Sequence, residues 1–97
     1  MSCGVTIMVE VTFEIVWKRI ETHSGEVFTQ IRGGEFSYQA KSGYIILDRT
    51  NQNISQSDFE EAYHLLPLPN TTPVQHLRGP SYIYSILMDS RIRLANW

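Results

Sequence analysis

The hydrophobic residues of this chain change period as it runs. From Val5 to Ile20 they fall on alternate positions. Val5, Ile7, Val9, Val11, Phe13, Ile15 and Trp17 point one way, and Thr6, Thr12, Glu14 and Lys18 the other, with Met8 and Val16 as exceptions. A period of two predicts a strand with one buried face. The stretch exceeds the usual strand length of about 3–10 residues, so a bend or break is expected near Glu10–Thr12. Residues 1–4 are expected to be loose.

Shorter strands follow. Thr22-His23-Ser24-Gly25 has the composition of a turn, and Glu26–Arg32 is rich in Val, Phe, Thr and Ile. Gly33-Gly34 supplies the positive φ of a tight hairpin turn. Glu35–Ala40 places Phe36 and Tyr38 on one face. Lys41-Ser42-Gly43 turns again into a strand over Tyr44–Arg49. Strands at this spacing form an antiparallel meander.

The period then lengthens. Over Ile54–Pro67, Phe59, Ala62, Tyr63 and Leu66 fall at i, i+3, i+4 and i+7, one apolar face of a helix. Ser55 is its N-cap, Ile54 and Phe59 form a hydrophobic staple, and Asp58, Glu60 and Glu61 complement the helix dipole. Pro67 and Pro69 end it. Thr50–Asn53 is a polar connector, and Leu68–Gln75 an irregular loop. A second helix is predicted over Pro80–Asp89, with proline at its first position and Ile83, Ile86 and Leu87 as its stripe. Alternation of Tyr82, Tyr84, Ile86 and Met88 is the competing strand pattern. The tail, Arg91–Trp97, is a short strand or an arm laid on a neighbour. The fold class expected is α+β: an antiparallel β-meander of about four strands followed by two helices packed on one face.

Composition narrows the function. The 97 residues fit one domain, residues 1–97, and 42% apolar with 19% charged residues is the make-up of a folded chain. A net charge of −2, from 8 basic and 10 acidic residues, disfavours a polybasic nucleic-acid or membrane binder. The single cysteine, Cys3, permits no internal disulfide, and neither a signal peptide nor a membrane span is patterned, so a cytoplasmic protein is expected. His23, His64 and His76 have no metal-site spacing, and no serine or cysteine stands in a nucleophile motif, so no metal, cofactor or catalytic residue is assigned. Gly33-Gly34 precedes no helix and is not a phosphate loop.

The leading expectation is a non-enzymatic binding or assembly module that self-associates as a homodimer, through its first strand or its tail. The alternative is a nucleic-acid-associated module using Arg32, Arg49, Arg78, Arg91 and Arg93 on one side. A small ligand-binding protein or hydrolase comes third. The candidate ligand site is the start of the second helix, Arg78, Gly79, Ser81 and Tyr82. There the amides of Ser81 and Tyr82 would be unpaired and the helix dipole would favour an anion.

Overall fold

The computed structural model describes residues 11–50 and 52–97. The strand expected over residues 5–10, the residues 1–4 and the Cys3 thiol lie outside them. The fold class is α+β. Helix α1 (Phe13–Thr22) precedes strands β1 (Phe28–Thr29), β2 (Glu35–Phe36), β3 (Tyr38–Lys41), β4 (Tyr44–Leu47) and β5 (Asn53–Ser55). Helix α2 (Gln56–Tyr63), a 3₁₀ turn at Thr72–Val74, and helices α3 (Pro80–Leu87) and α4 (Ser90–Arg93) complete the order. Strands β1 and β2 form one antiparallel sheet, and β3, β4 and β5 a second, in that order.

The largest correction to the sequence reading is α1. Phe13–Ile20, expected as strand, is helical. Phe13, Val16, Trp17 and Ile20 stand at i, i+3, i+4 and i+7, and all four are buried. The alternating pattern and the helical stripe share Phe13 and Trp17, so the residues that discriminate are Val16 and Ile15. Val16, the exception to alternation, is fully buried, whereas Ile15 is 43% exposed. The Thr12 carbonyl accepts the amides of Ile15 and Val16 and begins the helix. At the other end the Ser24 amide turns back to the Glu21 carbonyl, and the buried Tyr38 hydroxyl donates to the carbonyl of Ile20 at 2.6 Å. A side chain from the sheet thus satisfies a carbonyl at the helix C-terminus.

The hairpins follow the turn chemistry. Between β1 and β2 the Gln30 amide bonds the Gly34 carbonyl and the Gly33 amide bonds the Gln30 carbonyl. Only Gly33, at φ 92°, is left-handed. This is a three-residue loop rather than a turn centred on both glycines. Ser42-Gly43 joins β3 to β4, with Gly43 at φ 85°. The expected third strand is broken at Ser37, whose amide donates to Asp48 Oδ1 at 2.9 Å, so Phe36 and Tyr38 belong to different sheets while both stay buried. Strand β5 takes the last residue of the expected connector, Asn53, and the first two of the expected helix stretch, Ile54 and Ser55. It pairs Ile54 with Ile45 and completes the buried set Tyr38, Ile45, Leu47 and Ile54.

Helix α2 begins as its cap predicts, with Ser55 Oγ accepting the Asp58 amide at 3.1 Å. It ends at Tyr63, short of Leu66, and Leu66–Pro67 is a cis peptide. Phe59 and Ala62 are fully buried, and Phe59 packs on Trp17 of α1 at a ring distance of 5.8 Å. Helix α3 forms where Pro80 predicts it, with Ile83, Ile86 and Leu87 buried. It packs on β1, α2 and α4, while α1 packs on β3, α2 and α4. The tail is the second correction. Asp89 N-caps a short helix, and Leu94 and Ala95, at φ 45° and 60°, reverse the chain. Trp97 returns to its own molecule, where its indole donates to the Leu87 carbonyl at 2.9 Å and its ring meets Tyr63 edge-on. Among the described residues no helix is long and apolar enough to cross a membrane.

Candidate functional site

The start of α3 borders a cleft, but not the one its own residues define. Gln30, Ile31 and Arg32 from the β1–β2 loop, Thr71 before the 3₁₀ turn, and Ser81 in the first turn of α3 enclose about 480 Å³. Positive φ at Gly33 closes the loop, and Gly79 at φ 62° turns the chain into Pro80, so both walls are set by local backbone. A hydrogen bond from Gln30 Nε2 to Ser81 Oγ, 3.0 Å, joins the walls across 51 positions of sequence.

The polar inventory is one-sided. Ser81 Oγ accepts from Gln30, which leaves its hydroxyl proton to donate elsewhere. Thr71 Oγ1 accepts from Gln75 Nε2 at 3.0 Å and is in the same condition. Arg32 is exposed and pairs with no carboxylate among the described residues. Among the described residues no aspartate or glutamate lines the cleft.

The four residues expected at this helix start separate. Ser81 faces the cleft. Arg78 is exposed and outside the lining. Gly79 faces the protein, since a Cβ there would stand 3.0 Å from Ile54 Cδ1 and 3.6 Å from Gln52 Oε1. Tyr82 is half-buried with its ring edge on Phe36 at 4.9 Å. Its amide, expected to be unpaired, bonds the Gly79 carbonyl at 3.0 Å. Gln30 and Thr71 carry no motif and were not singled out by the sequence.

The five arginines expected on one side are held differently. Arg91 grips Asp89 through Nε to Oδ1 at 2.9 Å and Nη2 to Oδ2 at 3.0 Å. It also donates to Glu26 Oε1 and the Val27 carbonyl and lies 3.9 Å over the Phe28 ring. Arg93 donates to the Trp97 carbonyl, and Arg49 to the Glu35 carbonyl at 3.1 Å. Arg32 and Arg78 remain without such partners among the described residues.

Charge around Arg91 is tuned by these contacts. Burial alone would raise the Asp89 carboxyl, but the hydrogen bonds from Arg91 outweigh it and hold its pKa below the ordinary value. The neighbouring His23 ring, then Arg91, lowers that of Glu26. His23 Nδ1 lies 3.0 Å from Glu26 Oε2, at an angle that leaves this buried nitrogen without a hydrogen bond. The Asp89–Arg91 bond raises the pKa of Arg91, and burial pushes the Tyr38 phenol up. His76 meets Glu61 at 2.6 Å on the surface, and His64 ends α2. Among the described residues no three His, Cys, Asp or Glu side chains group as a metal site requires. Compared with known protein families, characterised proteins and solved structures, the chain matches none.

Proposed function

We propose that this chain is a small non-enzymatic binding module whose cleft takes an anionic, acceptor-rich group, a carboxylate or a phosphate. The observation that supports this reading is the donor set. Arg32 brings a forked guanidinium, Thr71 and Ser81 bring hydroxyl protons, and among the described residues no carboxylate competes in the lining. The first turn of α3 adds the positive end of its dipole at Ser81. A cleft of about 480 Å³ is within the size range of small-molecule sites.

Titration of the labelled protein with millimolar inorganic phosphate, and separately with citrate, tests it by amide shifts. Gln30–Gly34, Thr71 and Ser81 should move, Arg32→Ala should abolish the movement, and Arg78→Ala should leave it. The two titrants separate a phosphate site from a carboxylate site. No shift with either, or shifts that persist in Arg32→Ala, would remove the proposal.

The homodimer expected from the sequence has less support. Of the two surfaces it relied on, the described part of the expected first strand buries the stripe of α1 and the tail returns Trp97 to its own molecule, while residues 5–10 lie outside the described residues. We therefore propose that a single copy binds. The arginine-face reading is also weaker, because Arg91 and Arg93 have partners of their own.

A further inference from the structure

We infer that the group bound at Arg32 is the C-terminal carboxylate of a partner protein, whose last residues lie along β1 as an added parallel strand. This rests on the reading of the cleft given above and names its ligand class. The cleft does not end at Ser81. A second cleft of about 290 Å³ adjoins it, and Ile31 lines both. Ser81 in the first and Tyr84, Ser85 and Met88 in the second stand at i, i+3, i+4 and i+7, one stripe of α3 and its C-cap. The other wall is Thr29 in β1 with Ile31 and Arg32 in the loop. Thr29 lies with Met88 and Arg32 with Ser81, so strand and helix run in opposite directions along one groove.

The strand wall is a free edge. The Gln30 amide bonds the Gly34 carbonyl, in the same register that sets Phe28 against Phe36. Antiparallel partners alternate between bonded and non-bonded pairs, so Phe28 and Gln30 turn their main chains to β2 and Thr29 turns its N–H and C=O away from it. Neither group bonds the main chain of another described residue. On the same edge the Val27 carbonyl is taken by Arg91 Nη2 at 2.9 Å, which ends the free stretch there. Strand groups left open in this way are a template for another extended chain. In a parallel pair one residue bonds the two flanking residues of its partner, so Thr29 alone offers a donor and an acceptor.

Length and charge specify the occupant. From Ser81 to Met88 the helix rises about 10 Å at about 1.5 Å per residue, which is the span of about three extended residues at about 3.3 Å each. Asp89 and Arg93, at the far end of the groove, carry opposite charges. Among the described residues of the lining that leaves one positive charge, Arg32, for one carboxylate, with the hydroxyls of Thr71 and Ser81 beside it. The peptide therefore ends at Arg32 and runs in the direction of β1. Ile31, 58% exposed between the two clefts, receives an apolar last side chain. A bare phosphate reaches neither the length of the groove nor the Thr29 edge. An acyl chain would cover Ile31 but leave the Thr29 donor and acceptor to water.

The test uses the fluorescein-labelled peptide Gly-Ser-Gly-Thr-Val-Val, once with a free C-terminus and once as its amide, read by anisotropy with the full chain. The acid should bind about tenfold tighter than the amide, because only the acid offers Arg32 a carboxylate. Arg32→Ala should bring the acid down to the level of the amide, and Arg78→Ala, outside the lining, should leave both unchanged. Both positions are exposed, and thermal melts confirm folding. N-methylation of each inner peptide bond in turn leaves the protein untouched and should weaken the acid about tenfold at the position that faces Thr29. Acid and amide that bind alike overturn the inference; if phosphate or citrate still shifts the amides around Arg32, the anion cleft stands without it. N-methyl peptides that all bind like the parent, or hexanoate that competes as well as the peptide acid, overturn it too, because the groove then reads a carboxylate and no strand.

Discussion

Removing the Phe59 ring should unseat α2. The ring is fully buried, and Phe59 and Ala62 are the buried residues of that helix. An eight-residue helix has little stability of its own, so its hold on the sheet and on Trp17 depends on this side chain. A phenyl group of this kind takes about 150–250 Å² out of water. At about 25 cal/mol per Å² that is about 4–6 kcal/mol, an upper bound because the unfolded chain already hides part of it. Alanine keeps the β-carbon, and measured Phe→Ala losses in cores are about 3–5 kcal/mol. The stability of a domain of this size is about 5–15 kcal/mol, so a loss of about 3–5 kcal/mol in Phe59→Ala should remove roughly a fifth or more of it. With a urea slope of about 1.5 kcal/mol/M, the midpoint should fall by about 2–3 M at unchanged slope. A fall below about 0.3 M, equivalent to about 0.5 kcal/mol, is what an exposed site gives and would refute the packing of α2 described above.

Two further outcomes follow from named contacts. Tyr38→Phe leaves the Ile20 carbonyl without its partner at the end of α1 and should lower stability by about 1–3 kcal/mol in the same melts; a change under about 0.5 kcal/mol would mean that water takes over this carbonyl. Asp89 and Glu26 have pKa values lowered in the fold, so their contribution is full above the ordinary carboxylate range and is lost as pH falls below that range through the folded values. Asp89→Asn should therefore flatten the loss of melting temperature between pH 5 and pH 2, and parallel curves for parent and variant would sink that assignment.

What the sequence disclosed and what it concealed divide along physical lines. Where one residue type has one local use, the reading held. Ser55 caps α2, Pro80 opens α3, Gly33, though not Gly34, takes the positive φ expected of the pair, and Ile54 and Phe59 at the helix start are both buried. Where a pattern fits two periods, it misled. Phe13 and Trp17 serve alternation and a helical stripe equally, and only burial of Val16 against exposure of Ile15 separates them. Strand β5 is three residues with one apolar side chain, and its existence depends on its pairing with β4, a contact no local signal announces. The candidate cleft was half legible. Ser81 and Arg32 were each singled out, in different hypotheses, but Gln30 and Thr71 become polar walls only when the loop and α3 meet.

The docking of the last residues onto α1 has a kinetic consequence. Arg19 Nη1 donates to the Ile92 carbonyl across 73 positions, whereas Ser42-Gly43 closes the β3–β4 hairpin within a few. Loop-closure entropy grows as about 0.9 kcal/mol times the logarithm of loop length, so bringing α4 to α1 costs about 2–3 kcal/mol more than closing that hairpin. The hairpins therefore assemble early, and α4 settles against α1 late. In the native ensemble the order reverses. Amides of α4 should exchange with deuterium through a partial opening well before those of β4, and the Arg19–Ile92 contact would come and go with that opening.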